Sequence, residues 1–334
     1  MKKLVFANVS YFLRIGVLLT ILIISAILFY TVNNLGIKNL EAKKREKPEV
    51  REAKKIVLPK ERERKKKRRM EIDEIRIRVI KPIYLSSKNP NEIFEVSNCN
   101  NVLPIVYTKP INFKIRDIKL KKRKFISYML PQVLMVNFEI EEQRKVVEKI
   151  KEKLAKGKSL TKAEEKFLNN LMGYYRAKSI DTLIKRLHVN PPSLVIAQAI
   201  AESGWGTSRF YLEGANAFGI TAIRGKGKTI KMYGQNIYMR KYDNVVDSIR
   251  DYYYSINVSW AFEKLRKVRL STSDPIEISH YLDYYSTLRD IYIRRIQGLI
   301  TANKLRKLDK CKISPIYMQE IPLSQYLKIK KLHK

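Results

Sequence analysis

The run IAQAIAESGWGTS, Ile196 to Ser208, holds the most informative residues of this 334-residue chain. It continues a segment, LVIAQAIA (194–201), that is apolar but for Gln198. A short helix that is hydrophobic nearly all round has to be buried. Asn190-Pro191-Pro192-Ser193 ends one helix and starts this one. Gly204 and Gly206 allow a sharp exit and close backbone approach. Glu202 therefore sits at the negative end of a buried helix, beside Trp205. Desolvation and the helix dipole both favour its neutral form and raise its pKa. A carboxylic acid kept protonated near neutral pH is what a general acid needs to protonate a leaving oxygen. The spacing also fits a structural glutamate at a packed turn.

Working outward, residues 125–156 show amphipathic helical periodicity. Thr161-Lys162-Ala163-Glu164 is a capping box, and Ser179–Leu187 reads as a further helix. His188 lies in a Leu-His-Val context that suits packing better than ligation. Downstream, Thr229–Tyr233 and Asn236–Met239 are β-friendly runs separated by glycine turns, which predicts a small two- or three-stranded β lobe over 220–242. Helices are expected again at 244–257, 259–268, 275–283 and 288–307. Tyr252-Tyr253-Tyr254 points in different directions on a helix and reads as core plus surface. The fold class is α+β, predominantly α, with the main domain at 125–308.

The remaining segments read differently. No charged residue occurs from Ile15 to Ile37, a length sufficient for a bilayer core and without a small-residue cleavage site, so 1–37 is expected to be an uncleaved transmembrane anchor. The nearby lysines and arginines favour a cytoplasmic C-terminal side, but long domains translocate largely regardless of charge. Residues 38–81 alternate acidic and basic blocks and read as a charged stalk, 82–124 as a short extended region, and 309–334 as a basic tail. The formal net charge is +36, from 68 Lys/Arg and 32 Asp/Glu, and it is spread over the chain. Such spreading suits an anionic polymer or membrane surface better than a nucleic acid, and no nucleic-acid partner is expected. Two cysteines, Cys99 and Cys311, and three histidines are too few for a Cys/His metal cluster. The pairing of the cysteines is left open, and no metal or cofactor is expected.

The ESGWG-TS run resembles the signature of glycoside hydrolase family 73, bacterial β-N-acetylglucosaminidases, around their catalytic glutamate. Asn216-Ala217-Phe218-Gly219-Ile220 resembles the family's N-x-FGI segment. Met239-Arg240-Lys241-Tyr242-Asp243, followed by Asp247-Ser248, and Leu282-Asp283-Tyr284-Tyr285-Ser286, followed by Tyr292 and Ile296, resemble two further segments in order. The Gly-Thr-Ser-Arg-Phe continuation is similar to the Bax-type branch of glucosaminidase-domain proteins. The resemblance covers about 125–305. It implies a lysozyme-like domain with a sugar-binding groove and endo-cleavage of the β-1,4 bond after N-acetylglucosamine in peptidoglycan. It also implies Glu202 as general acid and Tyr285 opposite it. Ser203, Trp205, Asn216, Phe218 and Tyr242 would be substrate-binding residues, although Trp205 also reads as packing at the helix end.

Two departures stand out. Many members carry a second acid in the β lobe, whereas Glu213 is the only acid between Glu202 and Asp243 here. The spacing from Tyr285 to Tyr292 is one longer than the common form. The expected protein is a membrane-anchored peptidoglycan hydrolase whose catalytic domain faces the periplasm or cell wall. The alternatives are a lytic transglycosylase of the same superfamily and a catalytically silent peptidoglycan- or anionic-polymer-binding scaffold.

Overall fold

Asp117 opens the longest helix among the described residues: its carboxylate accepts the backbone N–H groups of Lys119 and Leu120 at 2.8 and 3.1 Å. This helix, α1 (Ile118–Ala155), runs for 38 residues in the computed structural model, which describes residues 74–222 and 227–329. α2 (Lys162–Tyr174) begins with the expected capping box, Thr161 and Glu164 satisfying each other's backbone N–H. α3 (Ile180–Arg186) follows, then α4 (Pro192–Ser203) and α5 (Arg209–Gly214). After the β lobe come α6 (Val245–Val258), α7 (Glu263–Val268), α8 (Pro275–Ser279), α9 (Asp290–Ala302) and α10 (Leu323–Ile329).

The strands among the described residues are β1 (Arg76–Ile80), β2 (Ile83–Leu85), β3 (Ile105–Tyr107), β4 (Thr221–Ala222), β5 (Thr229–Lys231), β6 (Tyr238–Arg240) and β7 (Met318–Pro322). They make three small sheets. β2 and β3 pair in parallel, and β1 pairs antiparallel with β7. β6 lies between β4 and β5 in an antiparallel sheet, which is the expected three-stranded β lobe.

The centre of the fold is α4. From Pro192 to Ile200 every residue is buried, Gln198 included. The helix packs against α1, α9 and the 3-10 turn Leu305–Lys310. Asp309 in that turn ties down its start, accepting from Ser193 N and Ser193 Oγ at 2.8 Å each. The all-round apolar pattern required such a jacket, because each exposed face would leave aliphatic area in water at roughly 25 cal/mol per Å².

The structure redraws three segment boundaries. Arg76–Ile80, expected as the end of a stalk, is a strand, and Ile77 is buried. The expected extended region 82–124 supplies β2, β3 and the first turn of α1, and its Ile111 and Phe113 are core. The expected basic tail supplies β7 and α10, with Ile321, Leu323 and Tyr326 buried. Charged outward faces hid these elements: β1 alternates Arg76 and Arg78 with Ile77 and Val79. The expected anchor and the stalk up to residue 73 lie outside the described residues. Among the described residues no helix is long and apolar enough to cross a membrane.

Cys99 and Cys311 form a disulfide, with Cα atoms 4.2 Å apart. Lys312 N donates to Cys99 O (2.7 Å) and Val102 N to Lys312 O (3.0 Å), so the two segments are zipped beside the bond. The cross-link closes a loop across 212 residues of separation. Removing such a bond costs about 2–5 kcal/mol. Urea unfolding of the Cys99→Ser/Cys311→Ser variant should show a loss in that range, and dithiothreitol should reproduce it in the unsubstituted protein.

Candidate functional site

Glu202 occupies the last turn of α4, and the chain leaves through three left-handed residues, Gly204, Trp205 and Gly206. Gly206 has to be glycine: a Cβ there would stand 2.5 Å from the Phe113 ring and 3.0 Å from that of Phe125. Gly219 approaches from the other side, and a Cβ on it would lie 2.8 Å from Glu202 Oε2. The carboxyl is thus clasped between the end of α4 and the Phe218–Gly219 backbone.

Burial raises the Glu202 pKa above the ordinary carboxylate value. A hydrogen bond from Tyr292 and the positive charge of Arg295 oppose this less strongly. Behind Tyr292 runs a line of buried polar groups. Gln198 Nε2 donates to Tyr292 Oη (3.3 Å), and Gln198 Oε1 accepts from Tyr252 Oη (2.7 Å). Asn190 Nδ2 donates to Tyr252 Oη (2.9 Å), and Arg269 donates to Asn190 Oδ1 (3.2 Å). The one polar residue in the apolar stretch of α4 is therefore a link in the chain that holds Tyr292 against Glu202.

The expected second residue, Tyr285, lies close by. Its ring stacks on Tyr292 with centroids 5.4 Å apart, and its hydroxyl donates to Phe218 O (3.0 Å). Burial pushes both phenols far above their usual pKa. Tyr285 thereby fixes the backbone segment that meets Glu202.

Of the expected substrate-binding residues, Ser203, Asn216 and Phe218 are buried, and Trp205 and Tyr242 are half-buried. Ser203 is fully buried, its Oγ donating to Ala199 O (2.6 Å) and accepting from Gly206 N (3.0 Å). Asn216 spends its amide inside: Nδ2 donates to Ile220 O and Arg240 O (2.8 and 3.0 Å), and Oδ1 accepts from Ile220 N (3.0 Å). That side chain rivets the β lobe to the end of α5. Phe218 stacks on Tyr252 at 4.5 Å in the core. Tyr242 donates to Asp251 Oδ2 (2.7 Å), away from Glu202 in the bonding pattern. Trp205 packs edge-on against Phe125 at 5.7 Å, with the Lys122 ammonium over its ring at 5.5 Å.

Of the acids flanking the lobe, Glu213 pairs with Arg209 (2.9 Å) and Asp243 with Lys228 (2.7 Å), both at the surface. His188 is held neutral, its pKa pushed down to about 4 by burial and by the Arg269 charge, and its Nδ1 accepts from Val189 N. Among the described residues no group of three or more His, Cys, Asp and Glu could hold a metal ion.

Residues 177–305 match the glucosaminidase family, described as mannosyl-glycoprotein endo-beta-N-acetylglucosaminidase. This chain carries a glucosaminidase-family domain, and the match spans α3 to α9, with Glu202, Gly219, Tyr285 and Tyr292 inside it. The domain is of the Bax type: "Protein bax" of Escherichia coli (strain K12) is 34% identical over 94 residues, 27% of this chain and 32% of that one. The chain thus spans about a third of the length of the curated relative it matches. Solved structures with a likeness include the catalytic domain of the autolysin Auto from Listeria monocytogenes (22% identity, 48% of this chain and 96% of that one, TM-score 0.32). Another is a peptidoglycan hydrolase from Sphingomonas sp. A1 (22%, 42% and 89%, TM-score 0.30).

Two substitutions test the electrostatics. Tyr292 and Arg295 both favour the charged carboxyl, so Tyr292→Phe and Arg295→Ala should each raise the Glu202 pKa further. A carbon-13 NMR titration of the side-chain carboxyl should show both midpoints at higher pH than in the unsubstituted protein. Gly219→Ala forces a methyl against the carboxyl from a left-handed backbone and should lower stability by about 1–2 kcal/mol in urea unfolding.

Proposed function

We propose that this protein is a peptidoglycan endo-β-N-acetylglucosaminidase with Glu202 as general acid. The observation that carries the reading is a single carboxyl, raised in pKa by burial, at the end of a helix and facing Gly219 within a glucosaminidase-family domain. The groove is read as that of a lysozyme-like domain, between the helices and the β lobe. A net charge of +36 suits a substrate bearing lactyl and peptide carboxylates.

In this reading Glu202 gives its proton to the leaving glycosidic oxygen as the bond to the anomeric carbon breaks. Most glycosidases place a second carboxylate across the bond. Here Glu213 and Asp243 are engaged in surface ion pairs. The substrate's own 2-acetamido oxygen then attacks the anomeric carbon and forms a cyclic oxazolinium. Water attacks the same carbon, the ring carbon–oxygen bond breaks, and the Glu202 carboxylate takes the water's proton. Tyr285 acts by holding Phe218 and Gly219 at the acid, and Tyr292 by aiming the carboxyl.

The disulfide supports placing the domain outside the cytoplasm, because such bonds persist in oxidising compartments. Residues 1–37 would then anchor it in the cytoplasmic membrane with the catalytic domain towards the periplasm or cell wall. A C-terminal alkaline phosphatase fusion should be active, and an inactive one would defeat that topology.

Purified peptidoglycan digested with the full-length protein should yield fragments with reducing N-acetylglucosamine ends. Glu202→Gln should lower the rate about 10²–10⁴-fold without unfolding the chain. Products ending in 1,6-anhydro sugars would mark a transglycosylase instead. Binding to the wall without solubilisation, indifferent to Glu202, would mark a scaffold. Asp243→Asn and Glu213→Gln should retain substantial activity, and a thiazoline analogue of N-acetylglucosamine should inhibit.

A further inference from the structure

The two tryptophans of the chain have opposite fates: Trp205 is packed, but Trp260 is 75% exposed. Trp260 meets Tyr284, itself 50% exposed, with centroids 5.5 Å apart and planes inclined at 64°. The pair makes an open corner, one ring as floor and the other as wall. Each ring belongs to a turn whose next aromatic points inward. Phe262 and Tyr285 are those inner partners, 6.1 Å apart, and Tyr285 stacks on Tyr292, which bonds Glu202. The outer corner is thus built on the same two turns that support the candidate acid.

A charged group completes the corner. The Arg289 guanidinium lies 5.9 Å from the Tyr284 centroid, in cation–π range. Arg289 holds a positive φ of +43°, a backbone conformation that non-glycine residues rarely adopt. Leu288 and Ile291, both exposed, extend the apolar surface. Large apolar side chains exposed side by side mark a binding surface.

We propose that Trp260, Tyr284 and Arg289 form a remote subsite for a carboxylate-bearing β-1,4-linked N-acetylhexosamine strand, continuing from the bond that Glu202 attacks; this rests on the glycosidase reading above. A β-linked hexopyranose with equatorial substituents presents axial C–H groups on both faces. Such a face lies flat on an indole while the inclined phenol bounds its edge. Arg289 supplies the partner for an acidic substituent, a geometry in which guanidinium groups pair bidentately with carboxylates. An aromatic corner of this kind selects polymer over short fragments, because it touches rings beyond the cleaved bond.

The indole makes the test direct. In full-length Glu202→Gln protein, a peptidoglycan-derived glycan hexamer should shield tryptophan fluorescence from acrylamide, and Trp260→Ala should abolish the shielded component. Trp260→Ala should weaken hexamer affinity about tenfold, and in the active protein raise KM for long strands while kcat changes little. Arg289→Gln should erase the preference for carboxylate-bearing strands over neutral chitin hexamer. Hexamer bound or cleaved through Glu202, with quenching and affinity indifferent to Trp260, would overturn the subsite and leave the glycosidase reading standing. Absence of both hexamer binding and Glu202-dependent cleavage would overturn both.

Discussion

One constraint organises the domain: a line of buried polar groups has to run beside an apolar helix, each linked to the next by a hydrogen bond. It passes from Arg269 through Asn190, Tyr252, Gln198 and Tyr292 to Glu202. An unsatisfied buried donor or acceptor costs about 1–3 kcal/mol, so each member holds its neighbours in place. α4 contributes two members, one mid-helix and one at its end. α6 and α9 contribute one tyrosine each, which fixes how these three helices stack. The acid is positioned by the core itself rather than by a flexible loop.

Around that line the lobes are joined by backbone contact. Gly206 lets the turn after α4 close on Phe113 and Phe125, and Gly219 lets the β-lobe entry lie against the carboxyl. Asn216 makes two hydrogen bonds to Ile220 within the entry and one to Arg240 O in β6, and Tyr285 adds a bond to Phe218 O. Ala217 N donates to Ser248 Oγ (3.1 Å), tying the same segment to α6. Buried side chains therefore set where the backbone of the β-lobe entry lies against the carboxyl.

Much of this was legible in the sequence. The buried helix, the capping box at Thr161, the small β lobe and the raised pKa of Glu202 follow from local pattern and simple electrostatics. The roles of Ser203, Asn216 and Phe218 did not follow, because a motif names residues that must be present without saying whether they face substrate or backbone. Gln198 was visible as the sole polar break in the apolar stretch, and a buried amide needs partners. Tyr252 and Tyr292 could have been sought as those partners. The pairing of β1 with β7 was hidden for another reason: it is non-local, and neither strand names its partner from its own residues.

That non-local pairing sets a timetable. β1 is among the first described parts of the domain to be synthesised, and its partner β7 is among the last; Arg76 bonds a residue 244 positions away. At about 5–20 residues per second, roughly 10–50 s separate the two on the ribosome. Throughout that interval the first strand has no β7 to pair with, and Cys99 has no Cys311 to join. The nascent chain therefore cannot complete its native clasp before its far end emerges.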